Sequence, residues 1–285
     1  METSPAARRL AARFVAGDSL DQALDAGRKL NSEGILVTFD CLGESVASLS
    51  EAAQARDVYL RTLAAICQTG IRGNVSLKLT QFGLDFSIEE CRANVEQLVR
   101  QAGAAGSFVR VDMESSAYTS RTLDLVRDIH GRHQAVGVVI QACLRRSRRD
   151  IEELCRNGIR VRLCKGAYLE PASVAFPRKR DVDRSFAELM KFLLDHGSYP
   201  AIATHDEALI DAARRHAASR NIPVDAFEFQ MLYGIRRDLQ RKLVRDGCRL
   251  RLYVPFGQAW YPYYMRRMAE RPANVFFVLR NLLRR

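Results

Sequence analysis

The stretch "RLRLYVPFGQAWYPYYMRRMAERPANV", residues 249–275, changes its period part-way. Leu250, Leu252 and Val254 alternate with Arg249, Arg251 and Tyr253, the two-residue period of a strand. Pro255 and Gly257 read as its break, and a helix is expected over 258–270. There Tyr263, Arg266, Arg267 and Glu270 stand at i, i+3, i+4 and i+7, on one helical face. A strand feeding directly into a helix is one β-then-α unit, and the fold depends on how many such units precede it.

Seven do. Strands are expected at 35–39, 74–79, 107–113, 137–142, 159–164, 200–204 and 226–230. Helical stretches follow them at 50–69, 87–105, 118–131, 147–157, 180–196, 206–220 and 235–246. Eight alternating units favour an α/β fold with a parallel sheet, and eight strands close into a TIM-type (βα)8 barrel. Ahead of them, residues 1–33 read as an N-terminal helical segment. It holds an Ala/Arg-rich turn at 5–15 and then a helix with Ser19 as N-cap, Gln22 three residues on and Gly34 at its end. The barrel domain is placed at 34–285. The longest gap, 165–180, reads as a functional or mobile loop.

Parallel strands covered on both faces normally read as continuous apolar runs. Several here alternate instead. Val75, Leu77 and Leu79 oppose Ser76 and Lys78; Val109, Val111 and Met113 oppose Arg110, Asp112 and Glu114; Val161 and Leu163 oppose Arg160 and Arg162. With helices outside, the charged set points into the barrel, where an unpaired charge costs several kcal/mol. Pairing between strands, capped by a polar ligand at the mouth, resolves this. An antiparallel sheet with one wet face would show the same alternation, but the intervening helices argue against it.

Composition is that of a globular chain: 285 residues, 47% hydrophobic, 27% charged. The net charge of +11 is spread along the chain and reads chiefly as solvated surface, with a modest excess at 145–149. The seven cysteines form no C-x-x-C pair, so a disulfide framework or zinc site is not expected and reduced thiols are the default. No signal peptide or membrane span is read. There is no G-x-G-x-x-G after a strand, no P-loop and no H-E-x-x-H, and the five histidines lack metal-ligand spacing.

In a barrel of this class the active site is built at the strand C-termini. Those positions hold Lys78, Asp112, Gln141, Arg162, Lys165, Thr204, His205, Gln230, Leu232 and Tyr253, a basic mouth with one certain acid. The eighth helix starts at the same mouth, and its paired guanidiniums suit bidentate capture of a carboxylate. Glu270 is placed to hold one of them until substrate arrives.

The segments "YVPFGQAWYPYYMRRMAERPANV", "VRLCKGAY", "EFQMLYGIR", "VSLKLTQFG" and "VTFDCLGE" resemble the monofunctional bacterial proline dehydrogenases, from about residue 15 onward. The Y-x-x-R-R-x-x-E pattern of Tyr263, Arg266, Arg267 and Glu270 is specific for that family, as is the run from Arg162 to Tyr168. The resemblance implies a distorted (βα)8 barrel with the eighth helix over its mouth and FAD bound non-covalently. It implies oxidation of L-proline to Δ1-pyrroline-5-carboxylate by hydride transfer to flavin N5, with electrons passed to a membrane quinone. Lys78, Asp112, Tyr253, Arg266 and Arg267 would be the catalytic set. Arg266, Arg267 and Lys78 would hold the carboxylate, Asp112 would orient Lys78 or an arginine, and Leu232, Tyr253 and Tyr263 would pack on the proline ring. Asp112, Met113, Gln141, Arg162, Lys165, Gly166, Ala167, Thr204, His205 and Gln230 would line the cofactor. Leu169 and Asp206 depart from residues common in the family, Trp and Asn. The aldehyde-dehydrogenase half of bifunctional members is missing, so a separate pyrroline-5-carboxylate dehydrogenase would take the product. A cytoplasmic protein with peripheral membrane contact is expected.

Other readings have less to stand on. A reductase related to methylenetetrahydrofolate reductases leaves the double-arginine stripe without a role. A Schiff-base aldolase using Lys165 has no phosphate-sugar site beside it. An RNA-binding protein lacks an interleaved aromatic and basic surface, so nucleic acid is not an expected partner.

Overall fold

The computed structural model describes residues 11–43 and 45–265 in full and the backbone of 266–269. Eight parallel strands close into a barrel in chain order. They are β1 Leu36–Cys41, β2 Gly73–Leu77, β3 Val109–Val111, β4 Val136–Gln141, β5 Arg160–Cys164, β6 Ala201–Ala203, β7 Glu228–Leu232 and β8 Leu250–Phe256. The helices are α1 Leu20–Ser32, α2 Leu49–Thr69, α3 Ile88–Ala104, α4 Thr119–His133, α5 Ser147–Arg156, α6 Lys179–His196, α7 Glu207–Ser219, α8 Arg237–Arg245 and α9 Trp260–Ala269.

The helix starts follow from local chemistry. Ser19 caps α1 in a capping box with Gln22, and Ser48 and Ser87 cap α2 and α3. α1 lays Ala23, Leu24 and Leu30 into the same core as the barrel strands. Just before it, Phe14 and Val15 pack with Trp260, Tyr263 and Tyr264 of α9, and Ala16 N bonds Pro255 O at 2.8 Å. Residues 1–10, which hold much of the expected 5–15 turn, lie outside the described residues, as does Glu270.

One expected boundary moves. β8 does not stop at Pro255 but continues through it to Phe256, pairing with β1 as far as Cys41. The register with β7 ends at Tyr253, and Pro255 turns its carbonyl to Ala16 rather than to β1. Its missing N–H therefore removes no ladder bond. The 165–180 loop is pinned rather than loose. Leu144 and Ala175 form an antiparallel bridge, Phe176 N bonds Cys143 O at 2.8 Å, and the Arg145 guanidinium donates to Ala172 O. Glu170 accepts from Ser116 N at 2.7 Å and from the Ser116 hydroxyl.

The alternation resolves as expected. Val37, Phe39, Val75, Leu77, Val109, Val111, Val161 and Leu163 are essentially inaccessible and belong to the core. The polar set fills the barrel. Arg251 donates to both oxygens of Glu228 at 2.8 and 3.1 Å, and also to Asn74 and to Val37 O. Thr38 reaches Asn74 as well. Arg110, fully buried, donates to Arg160 O at 2.6 Å and Val138 O at 3.2 Å, while its Nε and Nη2 have no hydrogen-bond partner among the described residues. Gly137 makes room for it: a Cβ there would stand 2.7 Å from Arg110 Nη1. Phe108 closes the lower end, with the guanidiniums of Arg110, Arg160 and Arg251 within 5.8 Å of its ring centroid.

Burial alone would raise the Glu228 pKa, but Arg251, Gln230 and Tyr199 outweigh it and hold the carboxyl below its ordinary value. A depressed folded pKa gives stability that is present above the unfolded value and lost as pH falls through the folded one. Glu228→Gln should therefore lower unfolding free energy at neutral pH by about 3–5 kcal/mol, because Arg251 is left buried without a carboxylate. Urea titrations should show the gap to wild type narrowing as pH drops below the ordinary Glu value of 4.5.

Candidate active site

The strand C-termini surround a cavity of about 690 Å³, within the size range of small-molecule sites. Lys78, Asp112, Met113, Gln141, Arg162, Lys165, Gly166, Ala167, Thr204, His205, Gln230, Leu232, Tyr253 and Tyr263 all line it. The positions singled out in the sequence within the described residues are thus brought together. The side chains of Arg266 and Arg267, and all of Glu270, lie outside what the structure describes, although 266 and 267 fall in α9. A second hollow, of about 830 Å³, opens at the opposite end, below Phe108.

The floor is one connected network. Asp112 follows β3 and accepts three hydrogen bonds: Ser76 Oγ at 2.6 Å, Arg162 Nη1 at 2.7 Å and Tyr253 OH at 2.7 Å. Arg162 Nε donates to Gln230 Oε1 at 2.5 Å, and Gln230 Nε2 to Glu228 Oε1 at 2.5 Å. The chain of bonds thus runs from the mouth down to Arg251 and fixes Arg162 on two sides. Arg162 Nη2 is buried and has no partner among the described residues, although Arg162 lines the cavity. A buried guanidinium N–H left unpaired is costly, and an acceptor on a ligand would satisfy it. Burial, with Asp112 and Asp40 nearby, pushes the Tyr253 phenol well above its ordinary value, so it stays protonated and donates.

The walls are less basic than the sequence suggested. Lys165 Nζ is held by Asp183 at 2.5 Å and Asp206 at 3.0 Å, and Lys179 reaches the other oxygen of Asp183 at 2.5 Å. Partial burial would raise the Asp206 pKa, but Lys165 outweighs it and the carboxyl is lowered. Asp206 also caps α7 through Ala208 N at 3.1 Å, so both carboxylate oxygens are engaged. The mouth therefore carries more than one acid. His205 Nε2 accepts from Leu232 N at 3.0 Å, which puts the proton of a neutral ring on Nδ1 and ties the end of β7 to β6. Gln141 donates to Glu114 O at 3.0 Å. Burial pushes the Cys164 thiol up to about 12, which makes it an inert filler rather than a nucleophile.

Asp112 orients Arg162 and Tyr253, while Lys78 pairs with a different carboxylate, Asp40, at 3.6 Å. Asp40 was not among the candidates read from the sequence. The signal was there: Thr38 and Asp40 alternate with Val37 and Phe39 in β1, as in the neighbouring strands.

The family model described as proline dehydrogenase matches residues 23–280. The chain belongs to the proline dehydrogenase family. Among its relatives, Proline dehydrogenase 1 of Bacillus subtilis (strain 168) is 42% identical over 275 residues, covering 96% of this chain and 91% of that one. Proline dehydrogenase of Deinococcus radiodurans is 41% identical over 280 residues, covering 96% and 90%. The barrel is also similar to the crystal structure of proline utilization A (PutA) from Bdellovibrio bacteriovorus inactivated by N-propargylglycine, with TM-score 0.85 and 26% identity. That match covers 92% of this chain and 32% of the PutA chain, so the present chain spans about a third of it.

One backbone position on the wall is tightly constrained. Gly166, in the family's Lys165–Tyr168 run, has φ of 110°, and a Cβ there would stand 2.4 Å from Cys143 Sγ. Gly166→Ala should cost about 1–3 kcal/mol of stability, read as a lowered Tm. Adding Cys143→Ala should recover part of the loss by removing the clash, and the φ strain should remain.

Proposed function

We propose that this chain oxidises L-proline to Δ1-pyrroline-5-carboxylate, with FAD as cofactor and a quinone as electron acceptor. The observation that carries the reading is the cavity over the Tyr253–Asp112–Arg162 network, with Lys78 on its wall and the Tyr263/Arg266/Arg267/Glu270 motif in and just beyond α9. The residues fit a flavin. The spare Arg162 N–H seeks an acceptor, and Gly166 puts bare backbone on the cavity lining. Met113, Gln141, Arg162, Lys165, Gly166, Ala167, Thr204, His205 and Gln230, with Asp112 behind them, would hold it. When bound, FAD supplies the hydride acceptor, and no strong nucleophile is required of the protein.

The chain's own residues then bind, orient and exclude water. Lys78, Arg266 and Arg267 take the carboxylate, and Glu270 holds the arginine pair until it arrives. Leu232, Tyr253 and Tyr263 pack on the ring. Tyr253 keeps its hydroxyl on Asp112 and so offers its ring, not its oxygen. Arg162, locked by Asp112 and Gln230, would offer a fixed positive charge at the cavity wall to a cofactor that gains negative charge. The product goes to a separate pyrroline-5-carboxylate dehydrogenase. Passing electrons to a membrane quinone calls for a peripheral contact with the inner face of a membrane from the cytoplasmic side. No helix among the described residues is long and apolar enough to cross one.

The purified protein should be yellow and release flavin on denaturation, and a redox dye should be reduced with L-proline and not with NADH. A colourless protein, or reduction by NADH alone, would reject the reading. Arg266→Ala and Arg267→Ala should each raise the proline KM roughly ten- to a hundredfold, the worth of about 1.5–3 kcal/mol for a charge-assisted contact, with flavin still bound. Near-normal KM in both would remove the carboxylate clamp.

A further inference from the structure

Asp40 is the buried group beside the cavity whose presence the proposed chemistry leaves unexplained. It lies near the end of β1, opposite Pro255 of β8, and is 0% exposed. Its Oδ1 stands 3.6 Å from Lys78 Nζ and 3.2 Å from the Tyr59 hydroxyl. That hydroxyl is also 2.9 Å from Ser76 O and 3.4 Å from Cys41 O, so its single proton is shared among three acceptors. Oδ2 is buried with no hydrogen-bond partner among the described residues. Asp112, across the floor, has three firm donors. Two carboxylates at one floor are thus treated differently: Asp112 takes three short donors, whereas Asp40 has a lysine and a shared tyrosine proton.

Lys78 itself is nearly enclosed, with a side chain 13% exposed, and it lines the cavity. Removal from water disfavours a lysine's charged form, and an adjacent carboxylate restores it. The 3.6 Å separation is an ionic contact longer than a hydrogen bond, so Asp40 can neutralise Lys78 without claiming one of its donors in a short bond. We propose that Asp40 is the positioning residue for Lys78, holding its ammonium at the cavity wall and keeping it charged for the substrate's carboxylate. This rests on the proposed role of Lys78 in meeting that carboxylate. Among the described residues, the groups facing the pair include Tyr59 and Arg61 from α2, Cys41 beside it in β1, Asp112 after β3, Arg162 of β5 and Tyr253 of β8. Burial first, and then Asp112, raises the Asp40 pKa, while Lys78 lowers it. The charges of Asp40 and Lys78 therefore depend on each other.

The test uses the flavin-loaded enzyme and the inhibition constant of cyclopentanecarboxylate against L-proline, since that acid has no amine to titrate. Wild type, Asp40→Asn, Lys78→Met and the double variant are compared across pH. Asp40→Asn should weaken inhibition roughly tenfold. Without its carboxylate, Lys78 loses its proton at lower pH, so the alkaline loss of inhibition should begin at lower pH than in wild type. In the Lys78→Met background, Asp40→Asn should change neither. Tyr59→Phe, which loosens Asp40 without removing it, should weaken inhibition less and in the same direction, and it decides the matter if Asp40→Asn fails to fold. An unmoved constant and pH limb in Asp40→Asn beside a weakened Lys78→Met would overturn this inference alone. Normal inhibition of Lys78→Met would overturn the carboxylate contact as well.

Discussion

Everything at the mouth depends on charges that the barrel must neutralise inside itself. A parallel sheet wrapped by helices has no wet face, so each polar residue on its inner side needs a partner from another strand. Arg251 of β8 finds Glu228 of β7, and Arg162 of β5 finds Asp112 after β3. Each contact spans the barrel or joins adjacent strands, so the network also sets the relative heights of the strands. A one-residue slip in any register would turn a charge out to the apolar helices.

The same constraint supplies a preorganised site. Arg162 cannot swing, because Gln230 and Asp112 hold its Nε and Nη1. The nitrogen left over belongs to a residue of the cavity wall. Stability and orientation are thus served by the same bonds, and a charged group is ready for a ligand with no reorganisation when it binds.

How much of this the sequence shows depends on distance along the chain. The strands were legible because period-two alternation is local, and the strand ends followed from the rule for barrel mouths. Pro255 misled because a proline normally ends a strand; only the register with β7 and the contact to Ala16 show why it does not here. Lys165 was legible as a wall residue, but its two aspartates are 18 and 41 positions away and could not be assigned from spacing. Asp40 was visible in the alternation of β1, yet nothing local distinguishes it from Thr38, and its partner Lys78 lies just past the end of β2. The docking of Phe14 and Val15 on α9 is of the same kind: it joins the two ends of the chain.

Arg110 differs from the other buried cations. Arg162, Arg251 and Lys78 each stand against a carboxylate, whereas among the described residues Arg110 bonds carbonyl oxygens and lies over the face of Phe108. Burial, and then the neighbouring arginines, push its pKa well below the ordinary guanidinium value, while Glu228 opposes them. The axis of the barrel therefore holds a surplus of positive charge that dissolved ions cannot reach. Attraction arising there persists at ionic strengths that silence the basic exterior, so added salt slows the arrival of an anion more than it loosens one already seated.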